Sequence, residues 1–188
     1  LVGTLGEGGM GAVYLAHQRN LSRLVALKML PPSRIGDEIA IARFQKEIRA
    51  LARADHPNVV RVFQNGRTDG TFWYSMEFVD GCDLKEVTSS VAKANTRSGL
   101  RDTDLMHAVS TASDRRRADL AATLPALPQV SRPATPFLGS GRSYYIRVAE
   151  LFRDAARGLQ HLHERGVLHR DVKPGNIMVT RSDGRAVL

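Results

Sequence analysis

A short polar segment near the end of the chain concentrates residues that can do chemistry. Residues 169–176 read His-Arg-Asp-Val-Lys-Pro-Gly-Asn and contain a carboxylate (Asp171), an ammonium (Lys173) and a carboxamide (Asn176). An Asp and an Asn five residues apart on a loop offer a carboxylate for a hydroxyl proton and an amide oxygen for Mg²⁺. An ordinary polar surface loop is not expected to reproduce so many specified positions. We therefore interpret the segment as a catalytic loop or its degenerate remnant.

A second segment, close to the start of the chain, is rich in glycine. Gly6, Gly8 and Gly11 have the spacing Gly-x-Gly-x-x-Gly, which lets bare backbone amides approach phosphate oxygens. The same spacing also occurs in plain flexible turns and in dinucleotide-binding folds, where the third glycine opens a helix. Here an apolar run follows from Ala12, so we expect a loop between two strands that folds over a nucleotide.

A lysine in a predicted strand and an acid on a predicted helix form the third candidate set. Lys28 ends an apolar run, where a lysine on an edge strand with its amine in water is an equally good interpretation. Glu47 flanks the apolar face of a helix on which large residues recur every three or four positions, namely Ile41, Phe44, Ile48 and Leu51. We therefore expect an ion pair between Lys28 and Glu47 that places the ammonium near nucleotide phosphates.

The elements that must position these residues fall into two groups. Apolar runs predict strands at 12–16 and 23–30 after a strand leading into Gly6, then a helix over 38–53 and strands at 59–63 and 71–78 joined by a turn at 65–70. In the second group, an amphipathic helix from Tyr144 to Gly166 precedes short strands at 166–168 and 177–179. The apolar face predicted for that helix contains Val148, Phe152, Ala155, Leu159 and Leu162.

Residues 88–142 differ in amino-acid composition from the rest of the chain. They are rich in Ser, Thr, Ala and Arg, and four of the eight prolines lie between Pro125 and Pro136. We interpret the segment as an insertion that acts as a spacer, with a possible helix at 102–124 and no regular structure at 125–142. Its Arg115, Arg116 and Arg117 form a run too short for a nucleic-acid patch, so a solvated face is expected and no nucleic acid partner.

Composition bounds the class of protein further. The 188 residues are 43% hydrophobic and 24% charged, which is typical of folded globular segments, and the net charge is +8. A single cysteine, Cys82, excludes an intramolecular disulfide and fits a reducing, cytoplasmic compartment; we expect its thiol to be inert. No stretch is apolar over the length that a membrane span needs.

Together the motifs resemble a protein kinase of the bacterial, eukaryotic-like Ser/Thr type, over nearly the whole chain outside the insertion. The resemblance implies an α+β, bilobal fold. Its N-lobe and hinge, at residues 1–80, would hold a five-stranded antiparallel sheet and one helix, and its C-lobe would begin at 81–188 with the insertion at about 88–142. The implied activity is transfer of the γ-phosphoryl group of ATP, with Mg²⁺, to Ser and Thr hydroxyls of protein substrates. Lys173, two residues after Asp171, is similar to the Ser/Thr-specific form.

The resemblance also implies roles for individual residues. Asp171 would be the catalytic base with Lys173 beside it, Asn176 a metal ligand, and Lys28 and Glu47 the strand and helix pair. The phosphate-covering loop would consist of Leu5, Gly6, Glu7, Gly8, Gly9, Met10 and Gly11. The adenine site would consist of Val13, Ala26, the gatekeeper Met76 and the hinge residues Glu77 and Val79. Ordinary strand packing explains Met76 nearly as well.

Kinases of this type continue with an Asp-Phe-Gly segment, whose Asp supplies a second metal ligand, and this sequence stops short of it. We therefore expect the C-lobe to be truncated and residues 1–188 alone to be inactive and marginally folded. Two alternatives stay open: a pseudokinase or nucleotide-binding scaffold, and a non-catalytic remnant. The presence of Lys28, Glu47, Asp171 and Asn176 counts against the pseudokinase.

Overall fold

The computed structural model describes residues 1–8, 11–94, 102–122 and 144–188. The chain divides into two compact units, Leu1–Phe78 and Val79–Leu188. Two residues of the predicted phosphate-covering loop, Gly9 and Met10, lie outside the described residues. So does the segment 125–142, for which the sequence predicts no regular structure. Among the helices in the described ranges, none combines the length and the apolar character that a membrane crossing requires.

The first unit is a five-stranded antiparallel sheet with one α-helix, as the resemblance implies for an N-lobe. Its spatial strand order is β1-β2-β3-β5-β4. The strands are β1 (Gly3–Gly8), β2 (Gly11–Gln18), β3 (Arg23–Met29), β4 (Val62–Thr68) and β5 (Thr71–Glu77). The hairpin of β1 and β2 and the central place of β3 follow from this order, so the glycine-rich segment joins two paired strands.

Helix α1 (Glu38–Leu51) begins at an aspartate cap and packs one face against this sheet. The Asp37 carboxylate accepts a hydrogen bond from the Ala40 N–H at 3.0 Å, which satisfies one of the free amides of the first turn. Phe44 and Ile48 of α1 are buried in a cluster that includes Tyr74 of β5. The cap and this apolar contact fix where the helix starts and which side faces the sheet.

The hairpin of β4 and β5 differs from its prediction. The strand predicted at 59–63 begins instead at Val62 and continues to Thr68, so the turn is only two residues long. Asp69 and Gly70 form it with φ values of 48° and 80°, the positive values that tight hairpins need. Polar residues that looked like a turn lie in β4 because β4 is an edge strand, which tolerates solvent-exposed polar side chains.

The second unit combines a small sheet with three α-helices in the described ranges. The sheet order is β6-β7-β8. The elements are β6 (Gly81–Asp83), α2 (Leu84–Ala94), α3 (Asp102–Ala122), α4 (Tyr144–Glu164), β7 (Met178–Thr180) and β8 (Ala186–Val187). Asp83 and Glu86 cap α2 reciprocally, each side chain accepting the other's backbone N–H at 2.8 and 3.0 Å.

Helix α4 ends at Glu164, and Gly166 closes it as predicted, but the strand predicted at 166–168 is not present. Gly166 has a φ of 72° and donates to the His163 carbonyl, and the Val167 N–H donates to the Leu162 carbonyl, both at 2.9 Å. This pair of bonds is the Schellman arrangement that glycine permits. It turns the chain directly into the loop at residues 169–176.

The buried face of α4 differs from the predicted one at Phe152, whereas Val148, Ala155, Leu159 and Leu162 lie in or against the core as predicted. Its buried residues are Leu151, Ala155, Gly158 and Leu162. Phe152, which periodicity placed on the apolar face, is 61% exposed. The sequence offers apolar residues at both 151 and 152, and successive helical positions are about 100° apart, so only one of them can face the core.

Part of the predicted insertion is a core element. The possible helix at 102–124 is formed as α3, and Leu105, Ala108, Val109 and Ala112 are buried in the main cluster of the second unit. That cluster also includes Cys82 of β6, Val87 of α2 and Val179 of β7. The interpretation of this part as a spacer is therefore wrong, although the outer limits of the insertion stay a prediction.

The arginine run of α3 is also more than a solvated face. Arg117 binds both carboxylate oxygens of Asp80, and Arg116 donates to the Gly81 carbonyl at 3.3 Å. Arg115 is exposed, as predicted for all three. An Arg fork and a carboxylate make a directional, bidentate contact, so α3 is held in one rotation about its axis.

We expect Leu105→Ala to destabilise the protein by about 2–4 kcal/mol, because it removes a buried side chain and leaves a cavity. His107→Ala, an exposed position of the same helix, is the matched control and should stay near wild type. Urea unfolding followed by circular dichroism measures both. Equal, small effects of the two substitutions would show that α3 is a spacer after all.

Candidate active site

The loop at residues 169–176 is held between α4 and β7. Its last part is a turn of 3₁₀ helix, Pro174–Asn176, in which the Asn176 N–H donates to the Lys173 carbonyl at 2.9 Å. Directly after it, the Ile177 carbonyl accepts the Leu84 N–H at 2.8 Å, which ties the loop to the start of α2. Ile177 and Val179 are buried in the core of the second unit. A packed base therefore carries an exposed loop.

Three predicted site residues meet at the Asp171 carboxylate. Lys173 Nζ and Asn176 Nδ2 each lie 2.8 Å from Asp171 Oδ2, and Nδ2 also donates to the Asp171 backbone carbonyl at 2.8 Å. Both neighbours of the Asn176 amide are acceptors, so the NH₂ end must face them and the Oδ1 end must face away. The hydrogen bond from Lys173 first, and then that from Asn176, hold the pKa of Asp171 below its ordinary value.

Arg170, directly before this aspartate, has a left-handed backbone with φ of 63°. Such a conformation is uncommon for a non-glycine residue and persists only where the surrounding structure imposes it. Here the flanking Asp171 is held by three hydrogen bonds from the next turn of the loop. The loop geometry is therefore fixed at the carboxylate.

The donor set at this loop fits a hard divalent cation. Asn176 is half-buried and turns its amide oxygen away from Asp171, where it can act as an oxygen ligand. Within the described ranges, no cluster of three or more His, Cys, Asp or Glu residues forms a closed metal cage. One or two oxygen ligands from protein, completed by phosphates and water, suit Mg²⁺ rather than a structural metal.

The predicted ion pair of Lys28 and Glu47 is formed in the first unit. Lys28 Nζ lies 2.6 Å from Glu47 Oε1, and the two side chains are 16% and 28% exposed. The alternative of an edge-strand lysine is wrong, because β3 lies between β2 and β5. A lysine in a central strand cannot reach water along the sheet edge, and it depends on the carboxylate that α1 brings to it.

Strand register places the predicted nucleotide-contacting residues of β2, β3 and β5 on one face. Val13 pairs with Lys28, and Ala26 pairs with Met76. Directly opposed residues share a face, and so do residues two apart along a strand, so these four side chains lie on the same side of the sheet. Lys28 there contacts Glu47 of α1. The ammonium and an apolar surface are therefore neighbours.

Tyr74 belongs to this site, although sequence reasoning missed it. Its hydroxyl donates to Glu47 Oε1 at 2.7 Å, the same oxygen that Lys28 contacts. Tyr74 is paired with Lys28 in register and is 1% exposed. The sequence does contain a signal for this assignment, because Tyr74 lies two positions before Met76 and alternation places both on one strand face. A buried aromatic residue in a strand is, however, more simply interpreted as core packing.

The three glycines of the first segment differ in how tightly the surrounding structure constrains them. Gly11 opens β2 with φ of 133°, and a Cβ there would lie 2.3 Å from the Met29 carbonyl oxygen. Around Gly6 and Gly8, no atom of the described residues lies within 4 Å of an added Cβ. The third glycine opens a strand rather than a helix, which excludes the dinucleotide-fold alternative.

The remaining predicted residues divide between the units. Leu5, at a bulge of β1, and Glu7 lie in the first unit, where Glu77 ends β5 and donates its N–H to the Arg61 carbonyl at 2.8 Å. Val79 is buried at the start of the second unit. Cys82 is fully buried and burial raises the pKa of its thiol to about 11, in agreement with an inert cysteine.

Comparison with known proteins identifies the class. The family described as protein tyrosine and serine/threonine kinase matches residues 1–187. The curated relatives include the serine/threonine-protein kinases PknJ and PknF of Mycobacterium tuberculosis, each 32% identical over 96% and 97% of the chain. They also include pkn3 of Myxococcus xanthus, 31% identical over 93% of the chain. The chain belongs to the protein kinase family, whose members use ATP and divalent metal ions.

Similarity to solved structures agrees with membership of the protein kinase family. Two crystal structures of the PknI kinase domain of Mycobacterium tuberculosis, one of them a double mutant, match the whole chain at 30% and 27% identity, with TM-scores of 0.57 and 0.61. The chain covers 55% and 56% of those structures. It spans 22% of PknJ, 29% of PknF and 23% of pkn3.

We expect Gly11→Ala to lower the free energy of unfolding by about 2 kcal/mol, because it forces an alanine into a left-handed conformation against the Met29 carbonyl. Gly6→Ala has open space around the new methyl group and should leave stability unchanged while weakening ATP binding. Thermal unfolding and ATP titration of the two variants measure this. A Gly6→Ala variant with normal ATP affinity would contradict the assignment of β1 to phosphate binding.

We expect Lys173→Met to raise the pKa of Asp171 towards its ordinary value, because a hydrogen bond and a positive charge that favour the carboxylate are removed. Carboxyl ¹³C NMR titration in metal-free buffer measures the shift. Lys85→Met, at an exposed position of α2, is the control. An unchanged Asp171 titration in the Lys173 variant would mean that the contact does not persist in solution.

Proposed function

We propose that the protein containing this chain is a protein Ser/Thr kinase, which transfers the γ-phosphoryl group of ATP to Ser and Thr hydroxyls of protein substrates. The observation that carries the proposal is the Asp171 carboxylate held by Lys173 and Asn176 at 2.8 Å each. The serine/threonine-protein kinases among the relatives support the choice of hydroxyl.

Asp171 is the proposed base. Both side-chain hydrogen bonds use Oδ2, so Oδ1 of this exposed carboxylate is the oxygen available to a substrate hydroxyl. Its lowered pKa keeps the carboxylate ionised at neutral pH, where it can orient the hydroxyl and accept its proton as the bond to phosphorus forms. Lys173, with its ammonium beside the same carboxylate, would offset negative charge on the transferred phosphoryl group.

The first unit supplies the proposed ATP-binding residues except Val79, which belongs to the second unit. The Lys28 ammonium, oriented by Glu47, would contact the α- and β-phosphates, and the strand and loop from Leu5 to Gly11 would cover the phosphates with backbone amides. The adenine would contact Val13, Ala26 and Met76, which share a sheet face, and the backbone at Glu77 and Val79. ATP is the substrate that this combination of an ammonium and an apolar face favours.

Asn176 is the proposed protein ligand for Mg²⁺, through Oδ1. When bound, the metal ion would offset the charge of the β- and γ-phosphates. Asn176 itself has a second task, because its NH₂ group holds Asp171 in place. One side chain thus links the metal position to the base.

The buried free thiol of Cys82 is compatible with the predicted cytoplasmic location.

We expect Asp171→Asn in the full-length protein to lower kcat at least about 100-fold, because the base is lost while a side chain of the same shape remains. Asp69→Asn, in an exposed turn where asparagine tolerates the positive φ, is the matched control and should keep wild-type activity. Transfer of ³²P from ATP to a Ser/Thr-containing protein substrate is the measurement. Near-normal turnover of the Asp171 variant would refute the proposal. ATP binding without transfer by the wild type would indicate the pseudokinase alternative.

A further inference from the structure

One carboxylate oxygen in the first unit accepts two hydrogen bonds. Glu47 Oε1 lies 2.6 Å from Lys28 Nζ and 2.7 Å from Tyr74 Oη. Lys28 and Tyr74 are register partners on β3 and β5, whereas Glu47 comes from α1. The phenol therefore reaches the same atom as the ammonium from the neighbouring strand.

The three groups differ in how firmly they are held. The Lys28 and Glu47 side chains are 16% and 28% exposed, and both are long and flexible. Tyr74 is 1% exposed, its ring lies 5.4 Å from the Phe44 ring, and it packs in the core cluster with Leu30. A phenol has few rotatable bonds, so a buried tyrosine places its hydroxyl with little freedom. Tyr74 is the rigid member of the set.

The chemistry of the contact favours a lasting hydrogen bond. Burial, and then the negative charge of Glu47, raise the pKa of Tyr74 far above its ordinary value, so the phenol stays a neutral donor. A hydroxyl that donates to a carboxylate makes a charge-assisted bond, which is stronger than one between neutral groups. The same carboxylate oxygen is thus held by a phenol of the core and by the ammonium.

We propose that Tyr74 is a positioning residue for the ATP site: its hydroxyl holds the Glu47 carboxylate, and through it α1 and the Lys28 ammonium, in the geometry that contacts phosphate. The inference rests on the proposed function. Without the hydroxyl, Glu47 retains only its contact with another mobile side chain and can turn to water. Phenylalanine would fill the same volume, so the hydroxyl rather than the ring carries the effect.

The test compares Tyr74→Phe with Tyr14→Phe in the full-length protein. Tyr14 is a β2 residue of the same sheet, but it pairs with Leu27 and so lies on the opposite face. Tyr74→Phe should lower kcat/KM for ATP about tenfold, the effect expected from one lost hydrogen bond to a charged group, and weaken ATP binding in parallel. Tyr14→Phe should match wild type in both measurements.

A double-mutant cycle separates positioning from simple structural support. In a Glu47→Ala background, which removes the acceptor altogether, Tyr74→Phe should have no further effect on kcat/KM or on the Kd for ATP, because the group through which it acts is already gone. A purely structural role gives the same fold-loss in both backgrounds. Additive losses, or a Tyr74→Phe variant equal to wild type, would overturn the inference and leave the proposed function intact.

Failure of the proposed function gives a different result. If the wild-type protein binds ATP and transfers no phosphate, the kinase proposal fails, and the cycle on the Kd for ATP still decides the role of Tyr74. Non-additive losses in Kd would support positioning for nucleotide binding alone. Additive or absent losses in Kd would reject it.

Discussion

The pairing register of β3 is the constraint on which the nucleotide-facing side of the first unit depends. Side chains alternate faces along a strand, so a slip of one residue would turn Lys28 away from Glu47 and replace it with Leu27. The same slip would remove Ala26 from the face that it shares with Val13 and Met76. Register is secured because Tyr74 and Met76 of β5, which share that face, pack in one cluster with Phe44 and Ile48 of α1. The same alternation of side chains along β3 therefore places residues in both the hydrophobic core and the candidate site.

Glu47 of the first unit and Asp171 of the second unit are carboxylates in different environments, and this suits their proposed tasks. Glu47 is half-buried between an ammonium and a buried phenol, so both donors fix its position and it serves as an anchor. Asp171 is exposed on a loop, with both side-chain contacts on one oxygen, so its other oxygen is open to a reactant. Both carboxylates receive these contacts on one oxygen, so the difference between them is burial: Glu47 is held beside a buried phenol, whereas the exposed Asp171 can be reached by a substrate hydroxyl.

The sequence allowed prediction of those parts of the fold and site that depend on local chemistry. Strands β2, β3 and β5, helix α1 and the glycine end of α4 follow from periodicity and turn residues, and the Lys28 and Glu47 pair follows from an acid beside an apolar helix face. Tyr74 could not be assigned, because its hydrogen bond depends on how far α1 lies from β5, and only tertiary packing sets that distance. The choice between Leu151 and Phe152 has the same origin.

Helix α3 shows why composition alone misjudged a core element. Three of its buried residues, Ala108, Ala112 and Ser113, are small, and small side chains let a helix approach a neighbour closely, so a sequence rich in Ala and Ser can still be buried. Successive helical side chains point about 100° apart, so three adjacent arginines cannot share one face. Arg115 therefore points to solvent, whereas Arg116 and Arg117 reach the backbone of Gly81 and the carboxylate of Asp80. These contacts hold β6, whose partner β7 directly follows the loop that carries Asp171, so α3 supports the base of the candidate catalytic loop.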